Sequence, residues 1–347
     1  MKVAMYYGQQ DVRLEKLAIP EIAQDEILVE MRACGICGSD LMDWYLKSRA
    51  PLVLGHEPSG VITEKGERVE SFEIGDRVFV HHHVACLKCH YCRSGDYTLC
   101  AQFHKTNIIP GGFAEYFRVP ALNLRTDTLK IPDSLSFEEA TLIEPLGCCL
   151  RALGKCSLQK GDIVAIIGAG TTGLLHVALS KHLGAAKIIV SDLFEYRLNA
   201  AERFGADVVV NPKNESFAET VSSETNGLGA DLVVVAASAL EAYKAGLSAC
   251  RKGGRLCVFA PTEPRQCLNL SPGELFFSEV KIIPSYSTSH VETRKALELL
   301  CSGIIDARAL VTHRFPLGQI AQAFKTARDN KQCLKVVVVN ESSQSPI

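Results

Sequence analysis

Three sets of residues in this 347-residue chain have types and spacings that can do chemistry. The densest is Cys86, Cys89, Cys92 and Cys100, four thiols within fifteen residues. Four thiolates at this reach close a tetrahedral zinc site and leave no open position, so the metal orders a loop and does no reaction. An iron–sulfur cluster uses similar runs. Nothing else in the sequence points to electron transfer, and zinc is the expectation. His81, His82, His83 and His90 lie nearby. With four thiols available they are not needed as ligands and read as structural or solvated.

The second set is dispersed: Cys37 in GICGSD, His56 in GHE and Glu144 in IEP. One thiolate, one imidazole and one carboxylate, with an exchangeable water, make the ligand set of a catalytic zinc. Glu57, beside His56, is a further candidate ligand, so the choice between Glu57 and Glu144 stays open. Asp40 is placed to take the other ring N–H of His56 and fix its tautomer. Any one of these residues alone reads equally well as a buried cysteine, a core histidine or a helix-start glutamate.

A cofactor loop gives the combination its weight. Gly168, Gly170 and Gly173 form GAGTTG, directly after the apolar strand DIVAIIG and before a helical stretch. The glycines permit a tight turn and close approach of backbone to a pyrophosphate, which the free N–H groups of a helix N-terminus would bind. The following strand, KIIVSD, ends in Asp192, a carboxylate suited to a ribose diol and repellent to a 2′-phosphate. NAD is therefore expected over NADP. Arg197 reads either as a neighbour of that ribose or as a solvated helix charge, and in the first case some NADP tolerance remains.

The elements that must position these groups fall into two textures. Residues 1 to about 145 read as short strands broken by Gly and Pro, such as EILVEMRA, GVITEKG and GDRVFV. Ser136 and Glu139 stand in capping-box spacing ahead of an apolar helical stretch. Strand–helix alternation then begins. DIVAIIG, KIIVSD, DVVV, DLVVVAA and RLCVFAP are near-continuous apolar strands, and the helices between them close at Gly184 and Gly205. That pattern implies a parallel sheet covered on both faces. It fades near residue 287. Beyond it come helices around HVETRKALELLCSG and QIAQAFKTARDN, a strand in CLKVVVVN, and a tail, ESSQSPI, that reads as frayed.

Composition excludes several classes. The chain is 47% hydrophobic and 22% charged, with a net charge of −2, so no basic field exists to hold nucleic acid or an acidic membrane surface. No apolar run is long enough for a membrane span, and the N-terminus shows no signal-peptide core. A cytoplasmic protein with fourteen cysteines in a reducing compartment is expected to form few disulfides.

GICGSD, GHE, the four-cysteine run, GGFAEY at 111–116, IEP and GAGTTG occur in the order found in zinc-containing medium-chain dehydrogenases. The chain resembles them along essentially its whole length, and IEP places it near the sorbitol, threonine and galactitol-1-phosphate dehydrogenases. The resemblance implies a GroES-like catalytic domain over 1–146 and 288–347, a Rossmann NAD-binding domain over 147–287, and a homodimer or homotetramer. It implies two zinc ions per chain, with Cys37, His56 and Glu57 as ligands of the catalytic one and Glu144 as a ligand or a partner of its water. Ser39 matches the hydroxyl residue that takes the substrate proton. Thr172, Asp192 and Arg197 match positions that contact the cofactor. One departure concerns residue 42. Many relatives carry a proton-relaying histidine there, and this chain has Met42, which makes a threonine-type activity less expected. Lys47 and Arg49, beside Trp44 and Tyr45, are read as exposed loop charges rather than as a phosphate site. The implied reaction is oxidation of a polyol, cyclitol or sugar alcohol, phosphorylated or not. The alternatives are an amino-alcohol dehydrogenase and a non-catalytic protein that binds zinc and NAD.

Overall fold

The computed structural model describes residues 1–8 and 11–340, so the ESSQSPI tail lies outside the described residues. The chain divides into two compact units. One comprises Met1–Gly147 together with the segment from Thr288 onward, and the other is Cys148–Ser287.

The first unit is built on a seven-stranded sheet whose central strands, Ile27–Gly35 and Glu57–Lys65, pair antiparallel. The strand Lys335–Val339 adds to the free side of Ile27–Gly35, and Val311–Pro316 lies beyond it. The C-terminal run of valines thus completes a sheet begun near the N-terminus, and it is buried almost continuously, as a strand paired on both edges and covered on both faces is. Tyr6, Ile27, Met31, Ile62, Phe113 and Phe117 are buried in the core beneath. A three-stranded sheet, in the order Asp11–Lys16, Lys2–Gly8, Leu52–Val53, completes the unit. The capping box at Ser136 is present: its hydroxyl accepts from the Glu139 N–H and opens the short helix Phe137–Ala140. Ile143–Lys155 follows as a second helix.

The second unit is a six-stranded parallel sheet in the order Val208–Val210, Lys187–Ser191, Ile163–Ile167, Ala230–Val235, Cys250–Val258, Lys281–Pro284. Strands following Ile163–Ile167 build outward first on one side and then on the other. The strand order therefore reverses at Ile163–Ile167, where a doubly wound sheet opens its ligand crevice. Gly205 closes the helix Glu195–Phe204 in the left-handed conformation, as its place in the sequence predicts. Helices at Phe217–Glu224, Leu240–Ala249 and Pro272–Ser278 complete the connections and had no clear signature in the sequence.

Candidate metal centres and cofactor loop

The four-cysteine run folds into a lobe with a minimal core of Ala85, Cys92, Cys100 and Phe103. All four sulfurs lie within 4.8 Å of one another. Those of Cys86 and Cys92 are 3.9 Å apart and those of Cys89 and Cys92 are 3.5 Å apart. Sulfurs bound at about 2.3 Å around one tetrahedral zinc sit about 3.8 Å apart, so the lobe has the dimensions of a closed zinc site. The backbone N–H groups of Lys88 and Cys89 point at Cys86 and draw its thiol down to about 6, whereas burial pushes Cys92 up to about 12. Leu87, inside this turn, takes a positive φ of 61°, a conformation costly for a branched side chain. A lobe with so small an apolar core is one that a bound metal would stabilise.

The second centre grows from the two central strands of the first unit. Ile27–Gly35 ends two residues before Cys37, and Glu57 opens the facing strand, directly opposite Gly35. The ligand atoms of Cys37, His56 and Glu57 come within 4.8 Å of one another. Asp40 organises the other two: its Oδ2 accepts the Cys37 N–H at 2.9 Å, and its Oδ1 lies 3.4 Å from His56 Nδ1. That contact leaves His56 Nε2 as the nitrogen available to a metal. Burial opposes charge on His56, but Asp40 and Cys37 outweigh it and raise its pKa well above the ordinary value.

Glu57 is fully buried. Its Oε2 pairs with Lys335, whose ammonium also donates to the Ile36 carbonyl at 3.1 Å. Its Oε1 is buried without a partner among the described residues. An unmet carboxylate oxygen in the interior is costly, and here it belongs to the same group as a thiol and an imidazole. The donor set fits zinc. Burial pushes the Glu57 carboxyl up, against the pull of Lys335. Gly35 is what makes room for this pair, since a Cβ there would run into the Glu57 carboxylate and meet Lys335 Cε at 2.7 Å. Lys335 and Gly35 are functional positions that the sequence did not reveal.

Glu144 is buried at the start of the helix Ile143–Lys155, outside the compact three-residue group. It is near enough to act electrostatically on both Glu57 and Lys335. Ser39 lies half-buried in the short turn Gly38–Leu41, two residues from Cys37, and Met42 ends that turn. Lys47 and Arg49 are exposed; Arg49 rests 4.2 Å from the Tyr45 ring centroid and donates to the Tyr45 carbonyl.

The three consecutive histidines have different fates. His81 is fully buried, and its Nδ1 lies 2.9 Å from Asp127, which also accepts from Thr293 at 2.6 Å. His83 Nδ1 lies 2.6 Å from the Thr106 carbonyl. His82, between them, places its ring 4.9 Å from that of His56. Burial and the neighbouring His83, His56 and His81 depress its pKa well below the ordinary value. His90 lies on the outside of the cysteine lobe, exposed.

In the second unit, Gly168 follows Ile163–Ile167 with φ of 101°, and Gly170 is the N-cap of the helix Thr171–His182, with no side-chain cap hydrogen bond. A Cβ on Gly170 would meet nothing within 4 Å, whereas one on Gly173 would collide with the Gly168 carbonyl. The open side of the loop and its uncapped helix fit a pyrophosphate. Asp192 is nearly buried and braces this loop: Oδ2 accepts the Ala169 N–H at 2.8 Å and Oδ1 the Phe194 N–H at 3.0 Å. Arg197 approaches Asp192 Oδ2 to 3.9 Å. Thr172 is half-buried in the first turn, and His176 Nδ1 lies 2.7 Å from its carbonyl.

A parallel sheet that opens on a glycine loop, in a chain whose other unit carries two metal-competent ligand groups, points to the class of metal- and dinucleotide-dependent oxidoreductases. Comparison with known proteins narrows it. Residues 23–133 match the alcohol dehydrogenase GroES-like domain, and residues 171–302 match the zinc-binding dehydrogenase family. The chain is 37% identical to sorbitol dehydrogenase of Bacillus subtilis, over 97% of both proteins. It is 34% identical to L-threonine 3-dehydrogenase of Bacillus licheniformis, over 96% of each. Among solved structures, galactitol-1-phosphate dehydrogenase of Escherichia coli superposes with a TM-score of 0.86 at 28% identity, covering 98% of this chain and all of that one. The chain belongs to the zinc-binding medium-chain dehydrogenases, in the branch of the sorbitol, threonine and galactitol-1-phosphate enzymes.

Proposed function

We propose that this protein oxidises a secondary alcohol group of a polyol, cyclitol or sugar alcohol to the ketone, with zinc and NAD. The observation that carries the reading is the convergence of Cys37, His56 and Glu57 within 4.8 Å, on a chain that also carries an open dinucleotide loop. In this reading residues 1–146 and 288–347 form the catalytic domain and 147–287 the NAD domain. Bound zinc would acidify the substrate hydroxyl and bound NAD would take the hydride. The chain's own groups do the rest. Cys37, His56 and Glu57 hold the metal, with Glu144 close enough to hold its water. Asp40 fixes the His56 ring, and Ser39 accepts the hydroxyl proton. Gly168, Gly170, Thr172 and Gly173 shape the pyrophosphate cradle. Asp192 presents its carboxylate to the adenosine ribose, with Arg197 beside it. Cys86, Cys89, Cys92 and Cys100 hold a second, structural zinc.

L-threonine is the second candidate substrate, on the strength of the Bacillus licheniformis relative. Assembly as a homodimer or homotetramer is supported by the edge strand Lys281–Pro284 and by Phe276 and Phe277 near it, which are 75% and 81% exposed. None of the fourteen cysteines is in a disulfide, which suits a cytoplasmic location. Among the described residues no helix is long and apolar enough to cross a membrane. The test is a screen of NAD reduction over sugar alcohols, cyclitols, their phosphates and L-threonine. A polyol or cyclitol is expected to give the highest kcat/KM. Turnover of L-threonine alone would overturn the substrate class, and turnover of nothing in the panel would overturn the activity.

A further inference from the structure

We propose that His82 sets substrate specificity by hydrogen-bonding the hydroxyl on the carbon next to the one being oxidised, so that vicinal diols are preferred to simple alcohols. This rests on the polyol reading above. Four imidazoles gather here, those of His56, His81, His82 and His83, with successive ring centroids 4.0–5.3 Å apart. Three have a ring nitrogen engaged by the chain: His56 with Asp40, His81 with Asp127, His83 with the Thr106 carbonyl. His82 has no such bond among the described residues, and its Nδ1 is buried with none. A buried polar atom left unmet costs free energy, which a ligand supplying the missing partner recovers.

The position of that imidazole identifies the ligand. Its ring lies 4.9 Å from the ring of His56, so it borders the metal centre rather than the protein interior at large. Its main chain is fixed, because Asn123 Nδ2 donates to the His81 and His82 carbonyls at 2.9 and 2.8 Å. A neutral imidazole offers one donor and one acceptor, the complement of a hydroxyl. The reacting hydroxyl belongs to the metal and Ser39. The group that reaches His82 is then the next hydroxyl along the carbon chain, which a polyol has and a monoalcohol lacks. A site built to bond a substrate hydroxyl discriminates strongly against the analogue without it.

The test compares kcat/KM for a vicinal diol and for the secondary monoalcohol of equal chain length, in wild type, His82→Phe and His82→Asn, with zinc content measured in each. Phenylalanine keeps the ring against His56 and removes both polar atoms, and asparagine keeps a donor and an acceptor. The phenylalanine variant is expected to lose about 10- to 100-fold on the diol, the scale of one or two hydrogen bonds, and less than about 3-fold on the monoalcohol. The asparagine variant is expected to keep part of the preference. His82→Leu substitutes for the phenylalanine variant should that one fail to fold. Equal losses on both alcohols at full zinc content, or no loss on either, would overturn the assignment and leave the polyol reading standing. A wild type that oxidises monoalcohols and no diol would overturn both, before any variant is made.

Discussion

At the level of single residues, two questions decide the chemistry: where the substrate proton goes, and what the pairing of Lys335 with the buried Glu57 contributes. Ser39 is two residues from Cys37 and half-buried. If it accepts the hydroxyl proton, Ser39→Ala lowers kcat by on the order of 100-fold, the usual scale for a proton-transfer group, with zinc content and NAD affinity nearly unchanged. Full activity in that variant would remove Ser39 from the mechanism. Met42→His, at the end of the same turn, should move the pH–rate profile if a relay is short of a group. A higher KM with an unmoved profile would show instead that Met42 is an apolar wall. Lys335 has a different task. It is buried to 2% exposure and is the cation facing the fully buried Glu57. Removing one partner of a buried pair costs about 3–5 kcal/mol. Lys335→Met should therefore lower the unfolding midpoint and weaken zinc retention at the Cys37 centre, and a variant with wild-type values for both would show that the pair is dispensable. Cys37, His56 and Glu57 were legible in the sequence as residue types that ligate metals. Lys335 was not, because one lysine at the head of a valine strand gives no hint that it folds inward. Nor did the histidine run show that its middle member differs from its neighbours, since that difference lies in which acceptors the fold brings up.

At the element scale the legible features were local ones. The Ser136–Glu139 capping box, the Gly205 helix stop and the apolar strand before GAGTTG are all set by neighbours within a few residues, and each forms as the sequence predicts. Pairing of Lys335–Val339 with Ile27–Gly35 joins distant segments, and no local pattern encodes it. The helix Thr171–His182 carries a further consequence. His176 is fully buried in it, and burial lowers its pKa from the ordinary 6.5 to about 4, against the Thr172 carbonyl that raises it. Between those two values the unfolded chain holds a proton that the folded chain does not. Its contribution is complete above pH 6.5 and is lost as pH falls toward 4, by on the order of 3 kcal/mol at most. Thermal unfolding followed across that window should show a steeper loss of stability in wild type than in His176→Gln. Parallel curves would mean that the histidine is protonated, or exposed, in the folded protein.

At the scale of the whole molecule, the chain carries two ligand groups of opposite character. The four-cysteine lobe offers four thiols from a single loop, whereas the Cys37 centre offers three groups, Cys37 and His56 just outside the two central strands and Glu57 at the start of one; three protein ligands are the number that leaves a zinc a position for substrate. In the proposed function the Cys37 centre should lose its metal first, and activity should follow that metal alone. The most direct measurement follows zinc content and polyol-dependent NAD reduction together during stepwise treatment with a chelator. Two zinc ions per chain are expected at the start, with activity lost in proportion to the first zinc removed, the protein still folded at that stage, and activity recovered when zinc is returned. Undiminished activity after the first zinc has gone, or a protein that never held zinc at the Cys37 centre, would contradict it.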